Sequence, residues 1–307
     1  MTGVWRKLGL LFCPSGEQRH PKLLTHAANP LPVHVKDDVY RVFFSGRDAQ
    51  NRSSVGAVDI DLARRQVLYE HPAPFFEHGA PGSFYADGVS IGNCYESARG
   101  RFMLFMGWSS PPDGHWWGQI GRLRVDKQLQ LSLEGQGEPF LGLDAQDPIS
   151  LSYPWVEREG PSQLRMWYGS TLQWDSGTRE MIHLIRQATS FDGERWRKLD
   201  ANLPHQLGQA QAFSRPTVVR DDEGHHMWFS YRSGNGQTYR IGYAHSQDGR
   251  EWLLALEHAG IDVSTDGWDA EMIEYPFVLE HDGRRYMFYN GNGYGRTGFG
   301  LAVYEHE

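Results

Sequence analysis

Acidic, basic and aromatic residues able to do chemistry recur in this chain at two kinds of place: the head of a β-rich apolar run, and the turn just after one. Glu271, Glu274 and Tyr275 lead into the run ending at Glu280, and Asp87 leads into Gly88-Val89-Ser90-Ile91. Asn29, Tyr153 and Arg215 each stand before a proline at the head of such a run, with His26 a few residues ahead of the first. The pair Arg47-Asp48 follows the run Tyr40 to Ser45, and Trp174 and Arg232 follow later runs in the same way. Carboxyl groups can give and take protons at a reacting atom, while arginines, asparagines and aromatic rings hold and orient a bound molecule.

Five copies of one unit carry these positions. In the last, Tyr275 to Glu280 and Arg285 to Tyr289 are joined by Asp282-Gly283, a strong hairpin signal, and Phe299 to Tyr304 makes a third strand. Earlier copies begin near residues 29, 87, 153 and 215. With Pro30, Gly88, Pro154, Pro216 and Pro276 taken as equivalent, the steps are 58, 66, 62 and 60 residues. No copy can bury both faces alone, so the expectation is an all-β five-bladed propeller, a single domain over residues 1–307. The apolar stretch Trp5 to Phe12 lies outside every copy. It is expected to add the fourth strand to the last blade and close the ring.

Composition excludes several classes of function. The formal charge is −8 and no Lys/Arg run stands out, which excludes a nucleic-acid partner. No window approaches 18 apolar residues and the amino terminus lacks an apolar leader, so neither a membrane partner nor secretion is expected, and the protein is read as cytoplasmic. Cys13 and Cys94 are too few and too far apart for a disulfide framework or a metal knuckle. Aromatic residues make up 13% of the chain, with 11 Trp, and planar rings are what sugar faces stack on.

Several motifs read as structure. Ser190-Phe191-Asp192-Gly193-Glu194-Arg195-Trp196 recurs as Ser246 to Trp252; a catalytic group is needed once, so this repeated turn is assigned to the hairpins. His115-Trp116-Trp117 lacks a nearby acid or second His at metal spacing, so no metal is expected and the rings are read as rim contacts. Gly293 to Gly298 matches G-x-G-x-x-G by letter but precedes a strand-like segment, so no dinucleotide or other cofactor is expected.

Through Asn29-Pro30, Tyr153-Pro154, Arg215-Pro216 and Tyr275-Pro276, the Asp-Gly hairpins and the Ser-x-Asp-Gly-x-x-Trp turns, the chain resembles the five-bladed propeller glycosidases. That superfamily includes arabinanase/xylosidase, invertase and mannoside-phosphorylase families. The ending from Tyr275 to Gly295 looks closest to uncharacterised glycosidase-like members. The resemblance implies two carboxyl groups at the starts of inner strands, one protonating the departing oxygen and the other attacking or activating water. The matching positions are Asn29, Asp87, Tyr153, Arg215 and Tyr275, of which only Asp87 is acidic. Its implied partner is Glu271 or Glu274, with Asp48 a third candidate. The expected function is cleavage of a small glycoside, bound by His26, Asn29, Arg47, Tyr153, Trp174, Arg215, Arg232, Tyr275, Asn290, Asn292 and Arg296. Alternatives are a phosphorylase or glycosyl transferase handling an anionic sugar, with Arg47, Arg215, Arg232 and Arg296 as an anion clamp, and a sugar-binding propeller without catalysis.

Overall fold

The computed structural model describes residues 3–16, 18–111, 114–160 and 163–306. Its twenty strands form five antiparallel sets of four. After β1 (Gly3–Phe12), the first set is β2 (Thr25–Lys36), β3 (Val39–Arg47), β4 (Ser53–Asp61) and β5 (Gln66–Glu70). The second is β6 (Gly88–Ser97), β7 (Gly100–Ser109), β8 (Trp117–Val125) and β9 (Leu131–Leu133). The third is β10 (Ser150–Gly160), β11 (Gln163–Trp174), β12 (Met181–Ser190) and β13 (Arg197–Asn202). The fourth is β14 (Ala212–Asp221), β15 (Gly224–Arg232), β16 (Arg240–Ser246) and the two-residue β17 (Leu253–Leu254). The last has three consecutive strands, β18 (Glu274–His281), β19 (Arg284–Asn290) and β20 (Phe299–His306), and its fourth is β1, paired with β20 from Gly3↔His306 to Phe12↔Phe299. The amino-terminal stretch thus joins the carboxy-terminal set.

The second strand of each set is apolar on both faces because it is covered on both sides. Phe43 and Phe44, Phe102 and Phe105, Trp167 and Tyr168, Trp228 and Phe229, and Tyr289 are all at most 1% exposed. Burying each such side chain is worth about 1.5–3 kcal/mol. The repeated turns behave as expected: Asp192 accepts from the amides of Glu194 and Arg195, and Asp248 from those of Arg250 and Glu251. Their tryptophans wedge against the preceding set, Trp252 on Trp167 and Trp196 on Tyr95.

Every first strand carries a β-bulge near its start. In four of them the residue before proline adopts a left-handed backbone: Asn29 (φ 56), Tyr153 (φ 32), Arg215 (φ 45) and Tyr275 (φ 54). Such conformations cost on the order of 1–3 kcal/mol each and persist where the surroundings over-determine them. In β6 the bulge falls between Ile91 and Cys94. The Ile91 amide donates to Ser45 Oγ as the Tyr275 amide does to Ser230 Oγ, so Gly92, not Gly88, is the second copy's counterpart of the prolines, and Pro30, Gly92, Pro154, Pro216 and Pro276 step by 62, 62, 62 and 60 residues. Asp87 is a strand-start residue four places ahead of the position that sequence reading gave it. Asn93 confirms the frame: its side chain bonds the Val156 backbone of the next set, as Thr217 Oγ1 accepts from the Val278 amide.

Bonds of this kind run from set to set. Ser45 Oγ accepts from the Ile91 amide, a parallel bridge joins His183 to Ala212, and Ser230 Oγ accepts from the Tyr275 amide. Asn290 accepts from the Asn29 amide and donates to the Ala27 carbonyl, tying the last set to the first. Arg215 is 2% exposed and donates to the carbonyls of Tyr275 and Pro30 at 2.8 Å each, so one guanidinium stitches three sets together.

Candidate active site

Where the first strands meet there is a cavity of ≈ 330 Å³. The residues two places before Gly92, Pro154 and Pro216 give it a hydroxyl lining through Ser90, Ser152 and Ser214. Tyr153 and Tyr275 come from the bulges themselves, their hydroxyls 3.2 Å apart, and Tyr239 and Tyr294 come from the fourth and fifth sets. Trp108, Trp116, Met106 and Met181 supply apolar wall, and Arg47 and Arg232 supply positive charge. Among the described residues, no Asp or Glu lines this cavity.

Glu274 lies just behind the lining. At the place where other copies have Ser or Ala, it is 0% exposed, and neither carboxyl oxygen has a hydrogen-bond partner among the described residues. Burial pushes its carboxyl well above the ordinary carboxylate range, opposed by Arg47, Tyr275 and Arg215. Its charge in turn bears on Tyr153, Tyr239, Tyr275 and Tyr294, four cavity-lining groups. Burial thus favours the protonated acid at this position over the carboxylate. Arg47 donates to Asn51 Oδ1 at 2.7 Å and has no carboxylate partner among the described residues, whereas Arg232 is paired with Glu180.

His183 was not singled out by the sequence. It is 1% exposed, and its Nε2 is 2.6 Å from Ser152 Oγ and its Nδ1 2.7 Å from Thr171 Oγ1. Burial, with His115 and Arg232 nearby, lowers its pKa to about 3, so the ring is a neutral, fixed polar group. Gly169 leaves room for this pair; a Cβ there would stand 2.1 Å from Ser152 Oγ and 2.3 Å from His183 Nε2.

The other expected site residues fall into two groups. Tyr153, Tyr275, Arg47 and Arg232 line the cavity, and Trp174 lines a hollow beside it. The rest do not line the cavity. Asp87 accepts from the Ser110 amide at 2.7 Å, and Asp48 is engaged by Arg52 and by the amides of Gln50 and Arg52. Glu271 is exposed in the loop ahead of β18, and Arg296 is exposed beside the short turn Asn292–Gly295. Arg215, Asn290 and Asn292 are spent on backbone groups, Asn292 accepting from the amides of Glu271 and Met272. Asn29 is buried in the first bulge, and His26 has its pKa lowered to about 4 by burial, then by Arg47 and Arg296.

The fold is that of the glycoside hydrolases and mannoside phosphorylases. A solved glycoside hydrolase superposes with a TM-score of 0.72 at 13% identity, over 98% of this chain and 91% of that one. A structure from the GH130 family of mannoside phosphorylases, a family containing glycoside hydrolases that target β-1,2 mannosidic linkages in Candida mannan, gives 0.73 at 11% identity, over 99% and 94%. The chain belongs to the same family as the uncharacterised Mycobacterium tuberculosis proteins Rv1502 and MT1551, from two strains, with 44% identity over 98% of this chain and 99% of theirs. No family model matches the sequence. Among the described residues, no helix is long and apolar enough to cross a membrane.

Proposed function

We propose that the protein is a glycosidase-like enzyme that cleaves the glycosidic bond of a small glycoside in the central cavity, with Glu274 as the proton donor. The observation that carries this reading is the Glu274 carboxyl, buried beside the cavity-lining tyrosines with no hydrogen-bond partner among the described residues. A carboxylic acid whose proton is held by burial is what departure of a sugar alkoxide needs. The proton passes from Glu274 to the glycosidic oxygen as its bond to the anomeric carbon breaks. Water adds to that carbon, and the proton it releases restores Glu274.

The set-to-set bonds, which run from the first set to the fifth and back, support a five-bladed ring in one domain over residues 1–307, with the cavity on its axis. The hydroxyl-rich walls and aromatic rings suit a carbohydrate. Nothing in the charge pattern suits nucleic acid, and a cytoplasmic site of action is part of the proposal.

A second reading is favoured by Arg47, a cavity-lining cation with no carboxylate partner among the described residues. It would hold a phosphate whose oxygen attacks in place of water, releasing a sugar phosphate. Turnover of aryl glycosides with and without inorganic phosphate separates the two readings. Under phosphorolysis, Arg47→Met should raise the KM for phosphate at least about tenfold, the loss of one charge-assisted contact. If turnover ignores phosphate and the Arg47→Met protein behaves as wild type towards it, hydrolysis stands alone.

A further inference from the structure

Beside the inner cavity lies a second hollow of ≈ 500 Å³, and the two share Ser110, Trp116, Met181 and Arg232 along their common edge. Its floor is aromatic. His115 stacks on Trp174 with ring centroids 5.4 Å apart and planes at 27°, and lies against Trp116 at 4.6 Å and 42°. His115 Nε2 is 3.2 Å from Thr171 Oγ1, which fixes the ring in its plane, and Trp116 meets His183 edge-on at 5.5 Å. Burial lowers the pKa of His115 to about 4, so the stack carries no charge of its own at neutral pH. Around this floor stand polar groups, Ser176 and Arg179 with the shared Ser110 and Arg232.

A flat, uncharged ring platform with hydroxyl and guanidinium groups at its rim suits one kind of guest. A sugar ring offers an apolar C–H face to the platform and equatorial hydroxyls to the rim, where Ser110, Ser176 and Arg179 stand to meet them. We propose that the outer hollow is the binding site for a second sugar ring, the leaving-group side of the substrate, so that the natural substrate is a disaccharide or longer glycan, with Trp174, Trp116 and His115 setting that preference. The inference rests on the inner cavity being a sugar site. The shared wall then orders the two compartments: the second ring lies on the outer side of Trp116 and Arg232, and the ring whose bond is cleaved lies on the inner side.

The test is binding, read separately from turnover. Wild-type protein and the Trp174→Ala and Trp174→Phe variants are titrated, by tryptophan fluorescence and calorimetry, with disaccharides of pentose and hexose donors, with the methyl glycosides of those donors, and with their phenyl glycosides. The expected result is that the wild type binds at least one disaccharide ten times or more tighter than the matching methyl glycoside, and tighter than the phenyl glycoside. Trp174→Ala should abolish that advantage while Trp174→Phe keeps most of it. An unchanged disaccharide advantage in Trp174→Ala, a wild type that prefers the phenyl glycoside, or no disaccharide binding by the wild type would overturn the proposal. Disaccharide binding that behaves as expected without any turnover would leave this inference standing and count against the catalytic reading.

Discussion

Replacing Glu274 by Gln should lower the turnover of unactivated glycosides by about 10²–10⁴-fold, the range expected when a positioned general acid is removed, with KM changed much less. Gln keeps the shape and volume of the side chain, so the fold should survive, and circular dichroism with an intact thermal transition is the control. The same substitution carries a signed prediction for stability. In the unfolded chain a glutamate gives up its proton near pH 4.5, whereas in the folded protein Glu274 keeps it well above that value. The contribution of the buried acid to stability is therefore complete below pH 4.5 and is lost as pH rises towards the folded-state value, because the unfolded state sheds a proton that the native state retains. The slope is about 1.4 kcal/mol per pH unit within that window. The substituted glutamine does not titrate, so the wild type should lose ground to Glu274→Gln as pH climbs from 4.5 towards neutrality. Parallel stability curves for the two proteins would show that the carboxyl ionises normally and is not the acid described above.

Arg215 should give the largest structural effect. Its guanidinium is buried without a carboxylate bonded to it among the described residues and satisfies the carbonyls of Tyr275 and Pro30, one in the last set and one in the first. Burial lowers its pKa to about 9, which leaves it charged at neutral pH. Charge-assisted hydrogen bonds are worth about 1.5–3 kcal/mol each, so Arg215→Ala, which loses two, should cost about 3–6 kcal/mol, measured by urea unfolding. Lysine should rescue little, since one ammonium cannot span two carbonyls as the planar fork does. A loss below about 1 kcal/mol would mean that the stitch across three sets contributes nothing to the fold. Arg215 headed a strand in the sequence and was read as a substrate contact; its side chain is instead consumed by the architecture.

That contrast shows what can be read from the chain and what cannot. The repeat was legible because hairpin turns are local: Asp282-Gly283 and the two Ser-x-Asp-Gly-x-x-Trp segments state their geometry within a few residues. The pairing of Trp5 to Phe12 with the last set followed from a missing strand. The second copy slipped by four residues because Gly92 replaces the proline that marks the bulge elsewhere, which left Asp87-Gly88 as the more visible signal. The cavity was half legible. Tyr153, Tyr275, Arg47 and Arg232 sit at strand heads and strand ends, where position alone points inward. His183 and Ser90 lie within strands and read as ordinary strand residues, and Tyr239 and Tyr294 reach the cavity from loops whose paths are set only by the assembled sheets. Glu274 stood among four acids until the structure separated them: Asp87 and Asp48 are held by hydrogen bonds, Glu271 is exposed, and Glu274 is buried with neither oxygen bonded among the described residues.

The most direct measurement is kcat/KM for the wild type and Glu274→Gln on a series of glycosides of one sugar, with leaving groups running from dinitrophenol through phenol to an alkyl alcohol. An acidic leaving group departs without protonation, so the deficit of the variant should be small for dinitrophenyl glycosides and grow steadily towards the alkyl ones. A deficit of the same size across the series, or a variant as active as the wild type on alkyl glycosides, would contradict the assignment of Glu274 as the proton donor.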